Sequence, residues 1–296
     1  MQLSVIITAF NSGSLIAEAV NSILEENLEC SYEIVVVDDG SSDPASLECL
    51  RHLKPHAAVR LIAQSENRGV QLARNAGLHA ARGEFVILLD GDDRLESASR
   101  AYPDLAIEQL QNPAVAFVHT LSRMFGAFEG YTISAYPVTE SQVVRKHHVP
   151  TSICFRRSDF LAGATYDPAI LKWQDWAFAA TLLATRWRRG AGTQIGFVPG
   201  ANHKYRVHDL CPRISATNVD EFAMTLAVVR AHLDYFRDRL HLSADAQTLA
   251  RAVVNAKPDR LSDLLHVARY DPRIAEDIRR EREFELVSPF LALGIP

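Results

Sequence analysis

Four short apolar runs, Leu3–Ala9, Tyr32–Val37, Val59–Ala63 and Glu84–Leu89, alternate with amphipathic stretches over the first third of the chain. Short runs rich in Val and Ile are strand signals, and apolar residues at helical spacing between them signal helices. Strands that alternate with helices in this way point to a mostly parallel sheet covered by helices. Turn-forming residues punctuate the runs at Asn11-Ser12-Gly13, at Asp38-Asp39-Gly40-Ser41-Ser42-Asp43-Pro44 and at Arg82-Gly83, which places the strand ends.

A helix around Ala101–Gln111 and a strand at Val115–His119 extend the alternation, while Arg123–Pro137 reads as a hairpin or a loop. A short apolar run at Ser152–Phe155, a helix near Gln174–Thr185 and a strand at Gln194–Val198 follow. Beyond Asn218, apolar residues at helical spacing in Phe222–Val229 and Leu261–Leu265 predict helices. Their apolar stripes need a partner, either the rest of the chain or a second copy of it.

With 296 residues, 48% hydrophobic and 23% charged, the chain can bury a large core, so one large domain with a smaller appendage is expected. A net charge of −5 gives no long-range attraction for a polyanion, and nucleic acid is not an expected partner. Cys30, Cys49, Cys154 and Cys211 lie too far apart for a close-spaced metal pattern or a disulfide framework and read as reduced cytoplasmic thiols. The first run starts without a basic leader, and no apolar run reaches the roughly 18–20 residues a membrane helix needs. A soluble protein is therefore expected.

Open α/β sheets bind ligands beyond the carboxyl ends of their strands. Here those positions are acidic: Ile34-Val35-Val36-Val37 runs into Asp38-Asp39, and Phe85-Val86-Ile87-Leu88-Leu89 into Asp90-Gly91-Asp92-Asp93. Bunched carboxylates repel one another and lose solvation unless a cation or strong donors sit between them, and oxygen ligands suit Mg2+ or Mn2+. A single Asp in such a place is more often a turn or helix-cap residue; the whole set after two strands favours a site.

Together these segments resemble the family-2 glycosyltransferases, with a GT-A nucleotide-diphospho-sugar-binding domain. The resemblance is carried by Val5-Ile6-Ile7-Thr8-Ala9-Phe10-Asn11, by Asp38-Asp39-Gly40-Ser41-Ser42-Asp43, and by Asn67-Arg68-Gly69, Ala73-Arg74-Asn75-Ala76-Gly77 and Leu88-Leu89-Asp90-Gly91-Asp92-Asp93. Their joint order makes the signal, since each alone is weak. The match is close over roughly the first 100 residues and thins toward residue 215. It implies an α/β GT-A fold, Rossmann-like, with residues 1–100 binding the nucleotide sugar, 101–215 forming the acceptor side, and a C-terminal helical extension over 216–296.

The resemblance also implies roles. Thr8, Ala9 and Asn11 would border the nucleoside, Asp39 would hydrogen-bond the base, usually uracil, and Arg74 would approach the diphosphate. Asp90 and Gly91 would meet the ribose or sugar, and Asp92 would hold Mn2+ or Mg2+. A dense diphosphate charge needs such cations beside so many carboxylates. In Leu171-Lys172-Trp173-Gln174-Asp175-Trp176, Asp175 matches the general base for the acceptor hydroxyl, with Gln174 where the family usually has an acid. Trp173 and Trp176 would exclude water, raise the pKa of Asp175 and stack on sugar. In Tyr205-Arg206-Val207-His208, His208 would reach the metal or the leaving diphosphate, and Arg206, like Arg213, would contact phosphate.

Arg186-Trp187 resembles the end of an element of processive polysaccharide synthases, but Leu183 stands where Gln should be. The basic run Arg186–Arg189 is expected to be a solvated face, with peripheral contact to the inner face of a membrane left open. The reading is thus an inverting, metal-dependent transferase that moves a sugar from a UDP-linked donor to a hydroxyl of a glycan, lipid-linked glycan or protein. Two alternatives stay open: a silent sugar-nucleotide-binding protein, which Gln174 encourages, and a nucleotidyltransferase, which lacks its Gly-rich basic loop after the first strand. A dinucleotide-binding oxidoreductase lacks its G-x-G-x-x-G turn.

Overall fold

The structure is a computed structural model that describes residues 1–132, 134–208 and 218–281. Arg213, Cys211 and the expected boundary at residues 215–216 lie outside the described residues. Its strands are β1 (Leu3–Ala9), β2 (Tyr32–Asp38), β3 (Val59–Ala63), β4 (Phe85–Asp90), β5 (Arg94–Leu95), β6 (Val115–His119), β7 (Ser122–Gly126), β8 (Gly130–Tyr131), β9 (Cys154–Arg156), β10 (Gln194–Phe197) and β11 (His203–Val207). Between β1 and β6 lie α1 (Leu15–Glu25), α2 (Pro44–Leu53), α3 (Val70–Ala80) and α4 (Tyr102–Leu110). Then come α5 (Glu140–Val144), α6 (Arg157–Leu161), α7 (Gln174–Arg188), and the C-terminal α8 (Glu221–Ala231), α9 (Leu233–Leu240), α10 (Ala246–Ala256), α11 (Arg260–Tyr270) and α12 (Pro272–Glu281).

The main sheet has the order β10-β6-β9-β4-β1-β2-β3 and is parallel except for β9, which runs antiparallel between β4 and β6. Alternate residues of each strand point to opposite faces. Ile6, Val35, Val37, Val86, Leu88 and Phe117 therefore join one core with Ala73 and Leu78 of α3 and much of α7, while Val5, Ile7, Ile34, Val36, Ile87 and Leu89 join another with α1 and α4. Val228, Val229, Tyr235, Phe236, Leu249, Val253, Val267 and Ile278 of the C-terminal helices are buried in the first of these cores. Their apolar stripes thus find their partner within the chain. Among the described residues no helix is long and apolar enough to cross a membrane, and Cys30, Cys49 and Cys154 are free thiols.

A second, four-stranded sheet of order β5-β11-β7-β8 makes part of Arg123–Pro137 a hairpin. In it β11 pairs antiparallel with β5, so that His203 faces Leu95 and Lys204 faces Arg94 across the register. The pairing carries β11, with Arg206 and the His208 that follows it, to the turn after β4.

In the basic run at the end of α7, Arg188 and Arg189 are exposed as expected, but Arg186 is not. Arg186 is buried, its guanidinium 2.7 Å from Asp159 Oδ2, 2.7 Å from the Gly192 carbonyl and 2.6 Å from the Pro113 carbonyl. It lies on the inward side of α7, where it balances a buried carboxylate and satisfies two loop carbonyls; a stretch of basic letters does not reveal which side chain points inward.

Candidate functional site

Register fixes the site's floor. Thr8 of β1 lies opposite Asp90 of β4, and Ala9 lies opposite Asp38 of β2, so both acidic clusters flank the end of one strand. Gly91 N–H donates to the Thr8 carbonyl at 2.9 Å, and a β-carbon at Gly91 would stand 2.8 Å from that oxygen, which is why the turn takes glycine. Asp39 N–H donates to the Ala9 carbonyl at 2.9 Å, and Thr8 Oγ1 donates to Asp90 Oδ1 at 3.5 Å.

Many of the Asp residues in the chain are caps: Asp43, Asp220, Asp245 and Asp259 each accept from backbone N–H groups at the start of a helix. The strand-end carboxylates do other things. Asp38 Oδ1 accepts from Ser41 N, and Asn11, itself left-handed at φ 50°, accepts from Ser42 N and Asp43 N, which pins the loop after β2. Asp39, buried, accepts from Arg68 N and Gly69 N, each at 2.9 Å, and so ties the end of β2 to the start of α3.

Arg74 is the link between the two halves of the site. Its guanidinium, with the side chain 3% exposed, lies 2.8 Å from Asp90 Oδ1 and 3.3 Å from Asp175 Oδ1, against the ring of Tyr166. Arg74, expected to approach the diphosphate, is thus paired with two carboxylates, which its position in the sequence did not indicate. Asp175 stands in the first turn of α7 with its side chain 27% exposed. Burial pushes its pKa above the ordinary carboxylate value, while Arg74 and a hydrogen bond from the Thr151 side chain oppose the shift.

Asp92 Oδ2 lies 2.9 Å from His208 Nε2, and both side chains are only partly exposed. Among the described residues no three His, Cys, Asp or Glu converge as a ready-made metal cage. The Asp92–His208 pair offers one carboxylate and one imidazole, a donor set compatible with a divalent ion that takes its other ligands from phosphate and water. Arg206 is engaged elsewhere: its Nε donates to the Asp92 carbonyl at 2.7 Å and its Nη2 meets Glu18 at 2.6 Å, over the ring of Phe125.

Ser122, His203, His148 and Thr151 were not singled out in the sequence, and Asp93 stood there only as a member of the acidic cluster. Asp93 is buried, accepts from Arg206 N at 2.8 Å and meets His203 Nε2 at 3.0 Å; His203 Nδ1 meets Ser122 Oγ at 2.7 Å. Burial pushes the Asp93 pKa up to about 6 against the opposing pull of His203. This chain of three braces the turn from behind. His148 lies within electrostatic reach of Asp175 and His203. The one available signal was a third acid in Asp90-Gly91-Asp92-Asp93, with a His on the later strand.

The tryptophans divide. Trp176 is 3% exposed and donates its indole N–H to the Val143 carbonyl at 2.8 Å, so it packs the core rather than meeting a sugar. Trp173 is half-buried with the Lys146 ammonium 4.1 Å from its ring centroid. Gln174 is buried and donates to the Leu171 carbonyl at 3.3 Å.

Residues 4–135 match the family described as Glycosyl transferase family 2. The chain is 30% identical over 223 residues to the succinoglycan biosynthesis protein ExoO of Rhizobium meliloti, covering 69% of this chain and 60% of that protein's length. In fold it is similar to S. aureus TarS 1–349 in complex with UDP-GlcNAc, with TM-score 0.65, 18% identity, 86% of this chain and 71% of that one covered. It is also similar to the mannosyltransferase PcManGT of Pyrobaculum calidifontis in complex with GDP-Man and Mn2+, with TM-score 0.55, 17% identity, 100% of this chain and 81% of that one. The sheet is thus of the GT-A kind, with a helical C-terminal region, and residues 4–135 carry a glycosyl transferase family 2 domain.

Proposed function

We propose that the protein transfers a sugar from a nucleotide diphosphate sugar, UDP-linked, to a hydroxyl of a glycan, lipid-linked glycan or protein, with inversion at the anomeric carbon. The observation that carries this reading is the bridge Asp90–Arg74–Asp175, which joins a donor-side carboxylate to one poised for an acceptor. Support for the donor comes from the UDP-GlcNAc and GDP-Man complexes of the similar structures, and support for a glycan acceptor from the succinoglycan relative.

In this reading Thr8, Ala9 and Asn11 border the nucleoside, Asp39 reads the base, and Asp90 with Gly91 meets the ribose or sugar. Arg74 holds Asp90 and Asp175 in fixed relation and offers positive charge toward the diphosphate. Asp175 accepts the proton of the acceptor hydroxyl as that oxygen attacks the anomeric carbon opposite the diphosphate. Its raised pKa makes it a stronger base than an exposed carboxylate, while Arg74 opposes the shift and favours the ionised form. Asp92 and His208 would hold Mn2+ or Mg2+, which, when bound, neutralises charge on the leaving diphosphate. Arg206 serves the donor indirectly, by fixing Asp92. Residues 1–100 are the donor half, 101–215 the acceptor half, and 216–296 a helical region.

Incubation with UDP-GlcNAc, UDP-glucose, UDP-galactose and GDP-mannose, with and without Mn2+, tests this. Release of free nucleotide diphosphate in at least one case is expected. Thermal stabilisation by every donor without any release would favour the silent binder.

A further inference from the structure

We propose that the C-terminal helices hold the acceptor-side base in register through Lys146, a positioning residue that locks Trp173 at the start of α7. The inference rests on the reading of Asp175 as the base.

Trp173 is the residue before α7 and sits at φ 59°, ψ 35°, in the left-handed region, with no side-chain cap on the helix. A bulky L-residue adopts that conformation only where its surroundings dictate it. The surroundings are unusual. The Lys146 ammonium lies 4.1 Å from the Trp173 ring centroid and 5.0 Å from that of Trp176, and Lys257 Nζ lies 5.3 Å from the Trp173 ring. Lys146 is itself left-handed at φ 63°, with its side chain 1% exposed.

An ammonium buried between two indoles needs partners, and α8 supplies them. Lys146 Nζ donates to Thr225 Oγ1 at 2.7 Å and to Glu221 Oε1 at 2.8 Å, and the same Glu221 oxygen meets Lys257 Nζ at 2.9 Å. Burial lowers the Lys146 pKa to about 8, with Glu221 opposing. A well-packed apolar residue would fill this place at less cost in desolvation. What the ammonium adds is direction: it ties the Trp173 ring, two residues before Asp175, to two points on α8. The φ and ψ of Trp173 set the angle at which the first turn of α7 leaves the loop, and hence where Asp175 meets Arg74. Lys172 also approaches the Trp173 ring, at 5.3 Å, so three cations converge on this indole.

The test uses the full chain carrying Lys146→Met, with Glu221→Gln, at a partly exposed position, standing in should the first variant fail to fold. Two quantities are read: donor turnover with the chosen acceptor, and hydrogen exchange of amides 171–177. Expected are a kcat at least roughly tenfold lower with donor KM within about twofold, and exchange over 171–177 at least about tenfold faster while β1 to β4 are unchanged. Unchanged exchange overturns the proposal, and so does faster exchange with unchanged kcat, because the contact would then serve stability alone. Absence of any turnover in the parent protein would count against the proposed function, while the exchange measurement would still decide whether Lys146 holds the loop.

Discussion

Arg74 Nη1 lies 3.3 Å from Asp175 Oδ1 across 101 residues of sequence, and the same guanidinium holds Asp90 at 2.8 Å. One buried cation therefore sets both the distance between the proposed donor and acceptor carboxylates and the charge each of them feels. Consequences for binding, pH dependence and stability follow from that shared partner.

Replacing Arg74 by Met leaves two partly buried carboxylates facing each other. Without the cation that opposed it, the pKa of Asp175 rises further, so the acid limb of the kcat profile moves to higher pH. Turnover at neutral pH should fall by about 10²-fold or more, and stability by roughly 1–3 kcal/mol for the lost buried partner. A pH-rate profile and a melting curve check both, and an acid limb that stays in place would remove Arg74 from control of the base.

Asp175→Asn should lose about 10²–10⁴ in kcat and retain donor affinity. Stability moves the other way. A carboxyl whose pKa is raised by folding binds its proton more tightly in the folded state, so stability falls as pH rises through the window between the ordinary and the raised value, and the loss persists at neutral pH. The Asn variant should melt at or above the parent at pH 7, with the difference shrinking as pH falls through that window. NMR of the product should give the inverted anomer; a retained one defeats the single-displacement mechanism.

Asp92→Ala should abolish metal-dependent binding of UDP, and His208→Ala should weaken it by roughly tenfold, because one donor atom of the pair is lost in each. Neither should shift the melting point much, since both side chains keep access to water. Chelation should stop turnover and Mn2+ should restore it. Full activity in excess chelator would show that the pair serves another purpose.

Arg186→Met separates fold from site. It leaves Asp159, whose side chain is 3% exposed, with the more exposed Arg189 at 3.5 Å in place of its closer partner, and should cost on the order of 3 kcal/mol. Donor affinity at a temperature where the variant is folded should match the parent, as measured by calorimetry. Weakened donor binding in the folded variant would mean that α7 transmits strain to the site.

Strand positions were legible in the sequence because a strand declares itself locally: Leu3–Ala9, Val59–Ala63 and Val115–His119 occur as read, and the carboxylates that close β2 and β4 lie where the apolar runs stop. The proximity of Thr8, Asp38 and Asp90 followed from parallel register, which the alternation of strand and helix already implied. Tertiary structure alone decided the rest. Whether Arg186 faced water, whether Trp176 faced a sugar, and whether Arg74 would meet one carboxylate or two depended on which side of α3 and α7 turned inward. That choice is made by packing against distant segments: Val143 for Trp176, Asp159 for Arg186, Asp175 for Arg74. The same holds for Asp93, whose neighbours look like its fellow acids in sequence but which folds behind them onto His203. Local patterns fix where a chain turns and what it can ligate; the partners of its buried charges are chosen by desolvation, which acts only once the whole chain has closed around them.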